Sequence, residues 1–168
     1  AVAAAIEAHR SLRRLGLAAN AIGCEGCRAL AGALRRSGSL TATNFLRNHW
    51  DEASAAALAA VPAERPGLRT LCGLALTEPA AALEHEGLEA RDALLLAADC
   101  RAHGGLTALR LYDNRLGAAG ACALAAAVSA GSTLAELDLS SNSVRRASPA
   151  PLYAAYPPLP LLSGGRHG

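Results

Sequence analysis

Apolar residues return along this chain in a fixed frame. The pattern Leu12-x-x-Leu15-x-Leu17-x-x-Asn20-x-Ile22 reappears after one 28-residue period as Leu40, Thr43, Phe45, Asn48 and Trp50. It returns as Leu106, Leu109, Leu111, Asn114 and Leu116, and again as Leu134, Leu137, Leu139, Asn142 and Val144. Alternation of this kind predicts a short strand with one face inward. The second half of each unit changes to helical spacing: Leu30, Leu58, Leu96 and Leu124 share one slot, each followed by alanine. Leucine there fills a core, and alanine lets neighbouring helices approach. Gly26, Ser54, Asp92 and Gly120 occupy the position expected for the helix N-cap. Val2 and Ile6 fall one period before Leu30 and Leu34, so the chain is expected to open partway through a preceding helix.

One strand and one helix cannot bury their apolar faces alone, whereas stacked copies form a continuous core, with at least about three needed and both ends wanting caps. The asparagine meets a backbone need. Where the chain leaves each strand its peptide groups lose their partners, and a buried amide offers both donors and acceptors. On these residues the chain resembles the ribonuclease-inhibitor-like class of leucine-rich repeats over about residues 1–144. The resemblance implies an α/β solenoid, or horseshoe, with parallel strands on the concave face and helices on the convex face. Ribonuclease inhibitors, Ran GTPase-activating proteins and sensor portions of innate immune receptors share that architecture. The resemblance transfers fold and not function.

The frame is broken once. Residues 68–77 (LRTLCGLALT) lie ten residues beyond the period, and a degenerate unit follows with Glu78, Ala81, Leu83, Glu86 and Leu88 in the usual slots. Either Leu68 and Leu71 open the strand of a 38-residue unit, or the strand lies at 79–84 despite Pro79. The later strand is preferred, because it puts Leu83, Leu88 and Leu96 in frame with Leu111, Leu116 and Leu124. Residues 68–77 are then an irregular surface insertion, which loops accept at small entropic cost. Glu86 cannot fully mimic the asparagine. Beyond Val144, residues 145–168 carry five prolines and read as a disordered tail, in which Pro157-Pro158-Leu159-Pro160 fits polyproline II.

Composition narrows the chemistry. All 16 basic residues are arginine and the net charge is only +2, which gives no reason to expect a nucleic-acid partner. The longest apolar run is eight residues, 121–128, well short of the roughly 20 that span a bilayer. With no methionine anywhere, the chain reads as a fragment. Five cysteines without framework spacing predict a reducing compartment, cytoplasm or nucleus. Cys24-x-x-Cys27 lacks the second pair a zinc site needs, and without lysine no phosphate-binding Gly-x-x-x-x-Gly-Lys loop exists. Neither a cofactor nor a catalytic site is expected. The best acid-base candidate, His85 with Asp113, reads as a cross-strand pair one period apart, as does Arg110 with Asp138.

A protein partner, bound through the concave face, is the favoured function. The alternatives are regulation of a small GTPase and ligand sensing as part of a receptor. The outward positions of the frame supply the candidate contacts: Arg13 and Arg14, then Asn44 and Arg47, then Glu84 and His85, then Arg110, Tyr112 and Asp113, and finally Glu136 and Asp138. The surface passes from basic to acidic. Arginine and tyrosine are frequent interface anchors, which makes Arg14, Arg47, Arg110 and Tyr112 the leading contacts.

The register has a direct test. Leu111→Ala should cost about 2 to 5 kcal/mol in chemical denaturation if Leu111 fills the continuous core. A change below about 0.5 kcal/mol would refute the frame.

Overall fold

The computed structural model describes residues 1–75, 77–102 and 104–144. Five short strands alternate with helices in the order α1 (Val2–Ala8), β1 (Arg14–Gly16), α2 (Cys24–Arg36), β2 (Ala42–Asn44), α3 (Glu52–Ala59), α4 (Val61–Glu64), β3 (Ala80–Ala82), α5 (Ala90–Ala102), β4 (Ala108–Arg110), α6 (Gly117–Ser129) and β5 (Glu136–Asp138). The three pairings among these strands are parallel, and each joins positions one period apart: Leu15 with Thr43, Ala81 with Leu109, Leu109 with Leu137. The helices pack in sequence, α1 on α2, α2 on α3, α3 on α5 and α5 on α6. Leu30, Leu58, Leu96 and Leu124 are all buried, and with Leu40, Leu88, Leu106, Leu109 and Leu111 they form one continuous cluster between strands and helices. The expected α/β class and parallel strands are present, and the degenerate unit forms its strand where expected.

The asparagine slot works as a ladder. The Asn48 side chain accepts from the backbone N–H groups of Asn20 (3.2 Å) and Ile22 (3.0 Å) and donates to the carbonyls of Leu17 and Phe45 (both 2.9 Å). Asn114 repeats this toward Leu88, Leu83 and Leu111, and Asn142 toward Leu116, Leu111 and Leu139. All three are buried. Each amide satisfies groups of its own unit and of the preceding one, so it ties the units together as well as closing a turn. Immediately before the slot, Ala19, Arg47, His85, Asp113 and Ser141 all adopt positive φ, between 52° and 61°. That reversal carries the chain inward to the amide. It strains every one of these non-glycine residues, least so His85 and Asp113.

Two expectations need correction. Gly26, Ser54, Asp92 and Gly120 are not N-caps, because the helices begin two or three residues earlier; Asp51 caps α3 by accepting from the Ser54 N–H at 2.7 Å. Two of these slots are glycine because the preceding turn's side chain lies over them. A Cβ on Gly26 would approach Ile22 Cγ2 to 2.6 Å, and one on Gly120 would meet Leu116 and Ala93 at 3.0 and 3.1 Å. Residues 68–77, in turn, are more than an insertion. Thr70 bridges Ala42 in parallel, and backbone bonds join Arg69 to Thr41, Thr43 to Thr70 and Phe45 to Leu71. This rung keeps the 28-residue offset from β2 but has no helix of its own. A turn at Gly73 (φ 72°) leads on toward β3.

The rung interrupts the sheet, since β1 pairs with β2 and β3–β4–β5 form a separate ladder. Two buried carboxylates of α5 serve this interruption. Asp99 accepts from Thr70 Oγ1 (2.5 Å) and from the N–H groups of Leu71 (2.7 Å) and Cys72 (3.0 Å). Asp92 accepts from the N–H groups of Arg47 (2.8 Å) and Glu89 (2.9 Å). Burial outweighs these donors and raises both carboxyls, that of Asp99 to about 6.

Asp99 therefore couples stability to pH. Its ordinary value of 3.8 is raised to about 6, so the folded chain favours the protonated form. The stability this contributes is complete below about pH 3.8 and is lost as pH rises through about 6, a change of about 3 kcal/mol. Asp99→Asn removes that titration. Denaturation at pH 4 and pH 7.5 should show the wild type losing about 2 kcal/mol relative to the variant on going to the higher pH; a pH-independent difference would refute the assignment.

Candidate interaction surface

On the outward side of the strands, the Arg14 side chain on β1 is exposed and makes no hydrogen bond among the described residues, while Arg13 donates to the Ser39 carbonyl at 2.9 Å. Asn44, ending β2, is half-buried and accepts from the Leu46 N–H at 3.2 Å. At the other end Arg110 makes a fork to Glu136, Nε to Oε1 at 2.8 Å and Nη2 to Oε2 at 3.3 Å. This corrects the expected Arg110–Asp138 pair. The strand register does place Asp138 beside Arg110, but its carboxylate accepts from the Ser140 hydroxyl and, at 2.8 Å, from the Ser140 N–H, which hold it below the usual carboxylate range. The hydrogen bond to Glu136 raises the Arg110 guanidinium, and Glu84 and Asp138 add to the negative field around it.

His85, Tyr112 and Asp113 do not lie on strands, as expected from the frame, but on the turns that follow β3 and β4. The 28-residue offset holds there nonetheless. His85 Nδ1 meets Asp113 Oδ2 at 2.8 Å, and the His85 ring stands edge-on to Tyr112 with centroids 5.2 Å apart. The His85 N–H donates to the Tyr112 carbonyl at 3.1 Å, which fixes the two turns against each other. Both side chains of the His85–Asp113 pair are more than half exposed, at 61% and 57%. Among the described residues no hydroxyl or thiol is hydrogen-bonded to His85. The arrangement holds a ring in place; it assembles no nucleophile, oxyanion donor or enclosed pocket.

Arg47 is occupied in a way the repeat could not foretell. Its Nη1 meets Glu86 Oε2 at 2.6 Å across the sheet interruption, and both side chains are well exposed. Glu86, in the asparagine slot, thus turns out to solvent, and Asp92 takes over the N–H of Arg47. A cleft of about 110 Å³ lies beside this pair, walled by Asn44, Leu46, Leu83 and Leu88. The repeat marks Asp92 only as a helix-start residue and does not mark Asp99 at all, because the bonds each makes to the interruption have no counterpart in the regular units. Cys24 and Cys27 are structural too: Cys24 Sγ accepts from the Asp51 N–H and Cys27 Sγ donates to the Ser54 carbonyl, both at 3.3 Å. Burial pushes the Cys27 thiol up to about 12. Among the described residues no group of three or more histidine, cysteine or acidic side chains could hold a metal, and no helix is long and apolar enough to cross a membrane.

Exposed pairs of this kind are worth about 0 to 1 kcal/mol. Arg110→Ala and Tyr112→Ala should each change unfolding stability by less than about 1 kcal/mol. Chemical denaturation checks this, and a larger loss would place these side chains in the core instead of on a free surface.

Residues 8–31 match a family model described as Leucine Rich repeat. No curated protein matches the chain. The matched residues span β1, its asparagine turn and the start of α2, and they identify this unit as a leucine-rich repeat and support a leucine-rich-repeat protein.

Proposed function

We propose that this chain is a protein-interaction module of the ribonuclease-inhibitor-like leucine-rich-repeat class, and that its partner docks on the concave side of a solenoid formed by the outward strand positions and the turns after them. One observation carries the reading. The inward slots repeat a leucine-and-asparagine set that serves the fold, while the outward slots carry different side chains in every unit and make few bonds that the fold requires. Arg14, Asn44, Arg47, His85, Arg110, Tyr112, Asp113, Glu136 and Asp138 form the proposed contact set, with Arg13 at its margin. Tyr112 leads it, because its ring is 39% exposed yet braced against His85, and a preordered aromatic loses little freedom on binding.

The polarity of the surface defines the partner's chemistry. Among the described residues Arg14 forms no ion pair at one end, whereas Glu136, Glu84 and Asp138 outweigh Arg110 at the other. A partner with an acidic segment facing Arg13 and Arg14 and a basic segment facing Glu136 and Asp138 fits this field.

Affinity capture with the wild-type chain beside an Arg14, Arg47, Arg110 and Tyr112 quadruple alanine variant, read by mass spectrometry, tests the surface. A protein retained by the wild type alone is the expected result, and identical captures would overturn the assignment. For the captured partner, Arg13→Glu with Arg14→Glu should slow association at low salt; unchanged kinetics would sink the electrostatic part.

A further inference from the structure

The charge of this chain is split along its length. Residues 1–75 hold nine arginines against five acidic residues, and residues 77–144 hold four against nine. On the outward strand face the register orders this split. Arg14 of β1 stands level with Ala42 of β2, and Ala108 of β4 with Glu136 of β5. One step further along the strands, Gly16 stands level with Asn44, and Arg110 with Asp138. In the turns, Arg47 and Asp113 occupy the same slot, one residue before the asparagine. The Arg47–Glu86 bridge, at 2.6 Å, brings the turns after β2 and β3 together across the interruption, so both ladders present their turns at the same end.

We propose that the partner of this face is a second copy of the same chain, turned over about a two-fold axis parallel to the strands. The inference rests on the reading of the outward face as a contact surface, and it names the occupant. Such an axis reverses the order of the strands and keeps their direction, so β1 of one copy lies over β5 of the other and β2 lies over β4. Arg14 then faces Glu136, Ala42 faces Ala108, Asn44 faces Arg110 and Arg47 faces Asp113, each pair made twice by symmetry. No like charges meet in these pairs. An axis across the strands would instead keep their order and set Arg14 against Arg14 and Glu136 against Glu136. Charge therefore chooses between the two ways of closing a symmetric pair. The acidic segment that suits Arg13 and Arg14, and the basic segment that suits Glu136 and Asp138, are both supplied by the chain itself. Pairing at the ends breaks no bond of the fold. The Arg14 side chain is exposed and makes no hydrogen bond among the described residues, and Glu136, its side chain 51% exposed, is held only by Arg110 on the same face. A carboxylate has lone pairs enough to accept from a second guanidinium. Nearer the middle, the outward positions Ala42, Ala80, Ala82 and Ala108 are small and uncharged, so closing the faces buries no unpaired charge at these positions.

Sedimentation of the full chain at micromolar concentrations tests the occupant. A reversible dimer is expected, and it should weaken at about 1 M salt, where charges are screened beyond about 3 Å. In the symmetric dimer Arg14→Glu sets acidic side chains against each other at both ends, and Glu136→Arg does the same with basic ones. Each variant alone should therefore dimerise at least about tenfold more weakly than the wild type. Mixing the two variants should restore the dimer as a mixed species, read by native mass spectrometry, because the two altered ends then attract and the two unaltered ends pair as before. Melting temperatures within about 3 °C of the wild type establish that both variants fold. A chain that stays monomeric, a dimer indifferent to both substitutions, or no recovery on mixing overturns the proposal. A monomeric chain leaves the reading of the surface standing if the quadruple alanine variant still loses a captured protein, whereas identical captures would remove that reading as well.

Discussion

A parallel strand of three residues closes few hydrogen bonds before the chain must turn, and the peptide groups of that turn are buried by the units on either side. The fold depends on satisfying them. In this chain the task belongs to one side-chain amide per unit, since Asn48, Asn114 and Asn142 each bond their own turn and the one before. The positive-φ residue preceding each asparagine is the conformational cost of aiming the amide inward. An asparagine suits the slot because its amide offers two donors and an acceptor at once, where a hydroxyl on a shorter stem has one donor. Leucine spacing fills the core, but the amides set the distance between successive units.

At the interruption the amide is missing. Glu86 puts a carboxylate in the slot, which cannot donate; it swings out to Arg47, and the strand ladder is broken between the rung at Thr70 and β3. The orphaned N–H groups are taken up from the opposite layer, by Asp92 and Asp99 of α5. A helix carboxylate thereby replaces a neighbouring strand, but at an electrostatic cost, because it must be held in an apolar interior where its charged form is disfavoured. Continuity of the molecule across this point rests on the helices, α3 against α5, more than on the sheet.

The same logic explains which features are legible in the sequence. The leucine and asparagine slots are, because every unit solves the same burial and hydrogen-bonding problem with the same residue. The positive-φ slot is not, since Ala19, Arg47, His85, Asp113 and Ser141 share no chemistry, only a backbone shape imposed by the next residue. The rung at Thr70 is hidden because two strand positions ten residues apart look exclusive in sequence, whereas both are occupied. Its available signs are the 28-residue steps from Leu40 to Leu68 and from Thr43 to Leu71. Of the surface, the pairing of His85 with Asp113 follows from the offset, but its location on turns does not, and Arg110 finds Glu136 because a long side chain chooses among diagonal neighbours that register alone cannot rank.

These distinctions bear on how the chain can act. Residues that obey the repeat are committed to the fold, and changing them unfolds the molecule before it tests any function. Residues free of the repeat fall into two groups. Asp92 and Asp99 are free of it because they repair its interruption, and they are as structural as any leucine. The outward set from Arg14 to Asp138 is free of it without any repair to perform; even its internal pairs, Arg47 with Glu86 and Arg110 with Glu136, are exposed and easily exchanged for a partner's charges. Departure from the period is therefore not by itself a sign of function. Departure combined with exposure and with no bond the fold requires is the stronger criterion, and it is the ground on which the strand face and its turns are proposed as the contact surface.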